Sequence, residues 1–142
     1  MDQNQIGNLL EHKKIRSTIN RINIYQAILQ QSNTFSLFDI EDLLLDLDKS
    51  TIFRAMTLFE EKHLIHGIED GSGSKKYCLC PNQGYCQQDE GHCHLHCEVC
   101  GTTICLDKIT IPEVTIPDGF IVKKANYIIQ GICADCAKKK IY

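Results

Sequence analysis

Apolar residues recur at helical spacing through the first half of the chain and in strand-like runs through the second. In "STINRINIYQAILQQ" the residues Ile22, Tyr25, Ile28 and Leu29 share one helical face, and Ser17 or Thr18 can supply the N-cap oxygen. "SLFDIEDLLLDL" opens with Ser36 and Asp39 in capping-box spacing and carries Ile40, Leu43, Leu44 and Leu47. "STIFRAMTLFEEKHLI" sets Ile52, Ala55, Met56 and Phe59 at i, i+3, i+4 and i+7, leaving Lys49, Ser50, Thr51 and Arg54 on the other face near its start. "LIHGIEDGSGSKKYCLC" reads as two short strands around the turn "DGSGS". Further on, β-branched runs in "GTTICLDKITI" and "GFIVKKANYIIQGI" predict strands, followed by a lysine-rich tail. "DKITIPEVTIPDG", with two prolines, predicts a shortened or absent helix.

Helices followed by a hairpin, with only Asp48-Lys49 joining the second and third, predict a winged helix-turn-helix. In that arrangement the third helix enters the major groove with its N-terminal residues leading, and the hairpin meets the backbone. Lys13, Lys14, Arg16 and Arg21 would add phosphate contacts. The plainer alternative is a small helical domain with a solvated face. The fold class expected is α+β: a winged helix-turn-helix domain over residues 1–79, a linker "CPNQGYCQQDEG" over 80–91, and a cysteine-rich, strand-bearing domain over 92–142.

Composition narrows the picture. The 142 residues are 43% apolar and 23% charged, values of a folded protein rather than a disordered one. No run reaches the roughly 18 apolar residues of a membrane span, and "MDQNQIGNLLEHKK" has no apolar signal region, so no membrane partner is expected and the expected compartment is the cytoplasm. The formal net charge of −3 provides no global basic field, so DNA binding has to rest on local features.

Nine cysteines change the picture more, all lying between Cys78 and Cys136. In a reducing compartment they are not a disulfide framework. Cys97/Cys100 and Cys133/Cys136 have C-x-x-C spacing, and four thiolates from two such turns close a tetrahedron around structural zinc. A rival reading takes His96, Cys133 and Cys136 as catalytic zinc ligands with Glu98 as proton shuttle, the pattern of zinc-dependent nucleobase deaminases. Ile132 stands where that pattern wants proline, and Cys97 and Cys100 would go unused.

Taken together, these motifs resemble the ferric uptake regulator family of bacterial metal-responsive repressors over nearly the whole chain. "RSTINR" with "IYQAIL" is similar to the family's first core helix, and "STIFRAMTLFEEKHLIHGIED" to its recognition helix and first wing strand, with Phe53 where tyrosine is usual. "HCHLHCEVCG" resembles the family's H-x-H-x-x-C-x-x-C-G, and "GICADC" its closing cysteine pair. The resemblance implies that residues 92–142 form a small metal-binding α/β dimerisation domain, and that a homodimer sits on a palindromic double-stranded DNA operator with metal as corepressor and no catalytic role. It carries over Phe53 and Arg54 as DNA contacts.

The same resemblance implies a second, sensory metal site, for which His92 and His94 match the family's histidines. His96 falls at a position usually apolar there and is read as a bystander. The site departs from the iron-sensing branch: Thr34 replaces a histidine, Cys78 an acidic hinge ligand and Cys105 a carboxylate. His66 falls where zinc uptake regulators carry a ligand, and Ala125 where a histidine often supports another family site. The expected set is His66, Cys78, His92 or His94, and Cys105, whose thiolates and imidazoles favour zinc or another soft divalent ion as the regulatory metal. Cys80, Cys86 and Cys93 are read as spare thiols, which leaves a redox- or peroxide-sensing regulator of the same family as an alternative.

Overall fold

The computed structural model describes residues 1–79, 93–106, 109, 111–123, 125–140 and 142. The expected linker, His92, Cys80 and Cys86 lie outside the described residues. The first half holds four helices, α1 (Gln3–His12), α2 (Ile19–Leu29), α3 (Leu37–Leu43) and α4 (Lys49–Glu61), followed by strands β1 (Ile65–Ile68) and β2 (Lys76–Leu79). The second holds β3 (Cys93–Cys97), β4 (Thr103–Leu106), β5 (Tyr127–Gly131) and the short helix α5 (Ala134–Lys139). No helix among the described residues is long and apolar enough to cross a membrane.

The helix starts follow from local chemistry. Thr18 rather than Ser17 caps α2, accepting from the Arg21 N–H. Ser36 and Asp39 form the anticipated capping box on α3, with Ser36 N–H donating to Asp39 at 2.8 Å. α1 was not anticipated; Asp2 and Gln5 form a capping box at its start, and it buries Ile6 and Leu10. α4 buries Ile52, Ala55, Met56 and Phe59, the four residues its periodicity indicates.

Two other faces are corrected. α2 touches α1, α3 and α4, so it buries Ile24 and Ala27 with Tyr25 and Ile28, while Ile22 and Leu29 sit at the rim. α3 buries only Ile40; Leu44 and Leu47 pack at the edge, and Leu43 turns outward because the helix ends there. Tyr25 and Phe59 meet edge to face at 5.6 Å in the centre of this core.

β1 and β2 pair antiparallel around the "DGSGS" turn, with His66 opposite Cys78. An isolated bridge from Phe35 to Tyr77 ties the hairpin to the helices, and the two rings stack at 5.9 Å. The second sheet has order β4-β3-β5, with β4 antiparallel and β5 parallel to the central β3. The described residues between β4 and β5 contain no helix, in line with the prolines there.

The core of the first half depends on Phe59, which is fully buried. Phe59→Ala should lower unfolding free energy by about 3–5 kcal/mol in urea titration; a loss below about 1 kcal/mol would contradict this packing.

Candidate functional site

Four sulfurs converge where β3 ends. Cys97 closes the strand, Cys100 follows in a tight turn, Cys133 caps α5 and Cys136 lies in its first turn; all four sulfurs lie within 4.8 Å of one another. The second pair therefore sits at a helix start and not at the turn expected, since C-x-x-C spacing suits both. Gly101, at φ +76°, allows the chain to reverse after Cys100. The Cys133 N–H donates to Cys97 Sγ at 3.3 Å and the Cys136 N–H to Cys133 Sγ at 3.5 Å.

These bonds split the thiols electrostatically. Backbone N–H groups of Cys100 and Cys133 pull Cys97 down to about 6, whereas hydrogen bonding to Cys133 and burial push Cys136 up to about 12. The cluster readily accommodates the first thiolate and resists the last. A divalent cation removes that resistance, and an all-sulfur set of four fits zinc in a closed, structural role.

A second cluster spans the two halves. Cys78 from β2, His94 from β3 and Cys105 from β4 bring ligand atoms within 4.8 Å of one another. Cys78 and His94 are buried and Cys105 is half-buried. Register explains the convergence: His94 and Cys105 are direct cross-strand partners, so their side chains share a face of the sheet. His66, the cross-strand partner of Cys78, stands beside the cluster but is not one of its three converging residues. Cys93 alternates to the opposite face of β3 from His94.

Thr34, where a histidine would have signalled the iron branch, donates instead to the Thr103 carbonyl at 2.9 Å and so joins the halves. Ala125 is exposed. A further buried group was missed in the sequence: Asp70, Thr103 and His96 are 1%, 1% and 8% exposed. The Thr103 hydroxyl donates to Asp70 Oδ2 at 2.7 Å, and His96 Nδ1 lies 2.9 Å from Thr103 Oγ1 and 3.4 Å from Asp70 Oδ2. Burial opposes the Asp70 charge, yet hydrogen bonds from Ser72 and Thr103, with His96 nearby, hold the carboxyl below its ordinary range.

The deaminase reading would need His96 to join Cys133 and Cys136 around one ion, a set that does not converge among the described residues. Cys133 and Cys136 gather with Cys97 and Cys100, His96 faces Thr103, and Glu98 is exposed in the turn.

On α4, Lys49, Ser50, Phe53 and Arg54 are exposed and Thr51 is half-buried. The Ser50 hydroxyl donates to Asp48 at 2.5 Å, and the Thr51 hydroxyl also donates to that carboxylate. The exposed Lys49 lies 3.8 Å from the largely buried carboxylate of Glu41. Arg16 is exposed, whereas Arg21 Nη1 donates to the Arg16 carbonyl at 3.0 Å and stiffens the approach to α2.

The sequence profile of the ferric uptake regulator family matches residues 12–130. The chain belongs to the ferric uptake regulator family. The ferric uptake regulation protein of Campylobacter jejuni is 29% identical over 102 residues, covering 68% of this chain and 59% of that protein. The chain thus spans about three fifths of the length of that relative. Among solved structures, a zinc uptake regulator complexed with zinc and DNA superimposes with TM-score 0.70 at 18% identity, covering 99% of this chain and 95% of the other. The ferric uptake regulator of Helicobacter pylori, described as having three functional metal binding sites, gives TM-score 0.61 at 12% identity over 96% and 95% of the two chains. This member shares the family's α+β fold and carries a four-cysteine cluster suited to structural zinc.

The four-sulfur geometry predicts that Cys97→Ser, or Cys133→Ser, releases one zinc per chain and lowers the melting temperature. Metal analysis beside calorimetry checks this; a zinc-free variant melting with the unmodified protein would contradict it.

Proposed function

We propose that this protein is a metal-responsive DNA-binding transcriptional regulator, a repressor of metal-uptake genes acting as a homodimer in the cytoplasm. The observation that carries the reading is the convergence of Cys78, from the hairpin of the first half, with His94 and Cys105 of the second-half sheet. Family membership supports the functional class. Cys97, Cys100, Cys133 and Cys136 would hold structural zinc; Cys78, His94 and Cys105, with His66 or His92 as a fourth donor, would hold the regulatory ion. When bound, that ion cross-links donors from both halves.

Two sulfurs and an imidazole prefer zinc to iron or manganese, which favour more oxygen. The energies are adequate: moving a population from 1:99 to 99:1 needs about 5.5 kcal/mol of preference. Structural zinc sites reach apparent binding energies of about 10–16 kcal/mol.

The chain's own residues do the rest. The hairpin carrying Cys78 follows α4 directly, so fixing the hairpin against the sheet fixes the angle of α4. Lys49, Ser50, Thr51, Phe53 and Arg54 then face the major groove, with Arg16 and Arg21 toward phosphates. Ser50 and Thr51 exchange the Asp48 carboxylate for phosphate oxygens, and Phe53 offers an apolar surface to a thymine methyl. Two copies on a palindrome double the phosphate contacts and compensate for the net charge of −3. The apolar cleft of about 380 Å³ lined by Ile104, Ile129 and Ile132 provides a face for the second copy.

Three variants test this reading by operator titration at fixed salt. Arg54→Ala should weaken operator binding by about tenfold or more, the loss of a good base or phosphate contact, with metal content unchanged. Cys78→Ser should abolish metal-dependent binding while keeping the structural zinc, and Cys78→Asp should shift preference toward iron or manganese. Activation of the unmodified protein by ferrous iron at lower free concentration than zinc would overturn the soft-metal assignment.

A further inference from the structure

The buried group of Asp70, Thr103 and His96 repeats the plan of the sensory cluster one step along the same elements. In the β3/β4 ladder, His94 pairs with Cys105 and the next pair on that face is His96 with Thr103. The hairpin supplies the third member each time: Cys78 from β2 to the first group, and Asp70 from the turn after β1 to the second. One set offers sulfur and imidazole; the other is closed by hydrogen bonds.

The direction of those bonds is fixed. Thr103 has one hydroxyl hydrogen and donates it to Asp70 Oδ2 at 2.7 Å. With that hydrogen committed to Asp70, Thr103 Oγ1 accepts from His96 Nδ1, 2.9 Å away, in the Nδ1-protonated tautomer. The result is a relay from imidazole to hydroxyl to carboxylate, crossing from the second half to the first in a buried, low-dielectric setting where such chains strengthen one another. Asp70 also accepts from the Ser72 N–H at 2.9 Å, which fixes the carboxylate within its own turn. Thr34 adds its bond to the Thr103 carbonyl. Asp70, Thr103 and His96 lie apart from the apolar cluster of the first half.

We propose that Asp70, Thr103 and His96 form a metal-independent latch that presets the closed orientation of the two halves. They are positioning residues: they bring Cys78 to His94 and Cys105 before any cation arrives. The effect on metal binding rests on the regulatory site described under the proposed function; the effect on domain closure does not. A protein closed only part of the time binds its ligand more weakly by the closed fraction, so the latch sets the metal concentration at which the regulator responds. Loss of the Thr103 hydroxyl leaves Asp70 buried with one donor fewer, and opening the halves is the way to rehydrate it.

The test uses the full-length protein with its structural zinc retained and compares Thr103→Val, the conservative Thr103→Ser, and Asp70→Asn, which keeps the side-chain shape should Thr103→Val fold poorly. Zinc affinity of the second site is read by competition with a chromophoric chelator. Closure is read, without added zinc, by small-angle X-ray scattering and by amide exchange in the 69–75 turn. Thr103→Val and Asp70→Asn should bind the second zinc about tenfold more weakly, scatter as a more extended particle and exchange faster, with oligomeric state unchanged; Thr103→Ser should restore all three readings. Unaltered scattering and zinc affinity in both weakened variants would overturn the latch. If the unmodified protein takes up only one zinc per chain, the regulatory-site reading fails while scattering and exchange still decide the latch.

Discussion

Among the described residues of the second half, little apolar material faces inward, and soft ligands stand where a core would. The packed apolar cluster runs from Ile6 to Tyr77 and includes no residue of the second sheet. The buried side chains described there are instead Cys93, His94, His96, Cys97, Thr103 and Cys136. Ile104, Ile129 and Ile132 of the same region are 36%, 56% and 41% exposed. A unit of this size is near the limit below which metals or association are needed for stability. Binding energy at the four cysteines is therefore folding energy, and the exposed isoleucines await a second copy in the proposed dimer.

The same constraint makes the junction of the halves adjustable. The contacts named across it are hydrogen bonds and ligand atoms: Thr34 with Thr103, Thr103 with Asp70, His96 with both, and Cys78 against His94 and Cys105. Gly71, at φ +86°, brings the hairpin turn so close to Gln130 that a Cβ would stand 3.0 Å from its Nε2. Groups of this kind are rehydrated when the halves part, so opening costs far less than exposing a hydrophobic seam of equal area. A cation that engages both sides can then dominate the equilibrium.

Much of this was legible in the sequence because it is local. The stripe Ile52, Ala55, Met56 and Phe59 faces the core as its spacing implies, and the C-x-x-C pairs meet as theirs implies. α1 escaped notice because Ile6 and Leu10 are set among polar residues, although Asp2 and Gln5 carried the capping signal. Ile24 and Ala27 escaped because a helix packed on several sides has no single apolar face. The latch was out of reach for a different reason. An Asp-Gly turn is an ordinary turn signal, and only the pairing of β3 with β4 and the docking of the hairpin bring Asp70 to Thr103. The one hint was His96, two residues from His94 and so on the same face of β3.

In the proposed regulator a sulfur-rich site, separate from the four-cysteine centre, joins the two halves. Zinc K-edge X-ray absorption on the protein loaded with one and then two zinc ions per chain addresses it most directly. With one zinc, the first shell should be four sulfurs at about 2.3 Å. With two, the average should fall to three sulfurs per zinc with an added imidazole signature, because Cys78 and Cys105 give the second ion two sulfurs and His94 a nitrogen. An average of two sulfurs per zinc, the second ion bringing only oxygen and nitrogen, would show that Cys78 and Cys105 do not bind it.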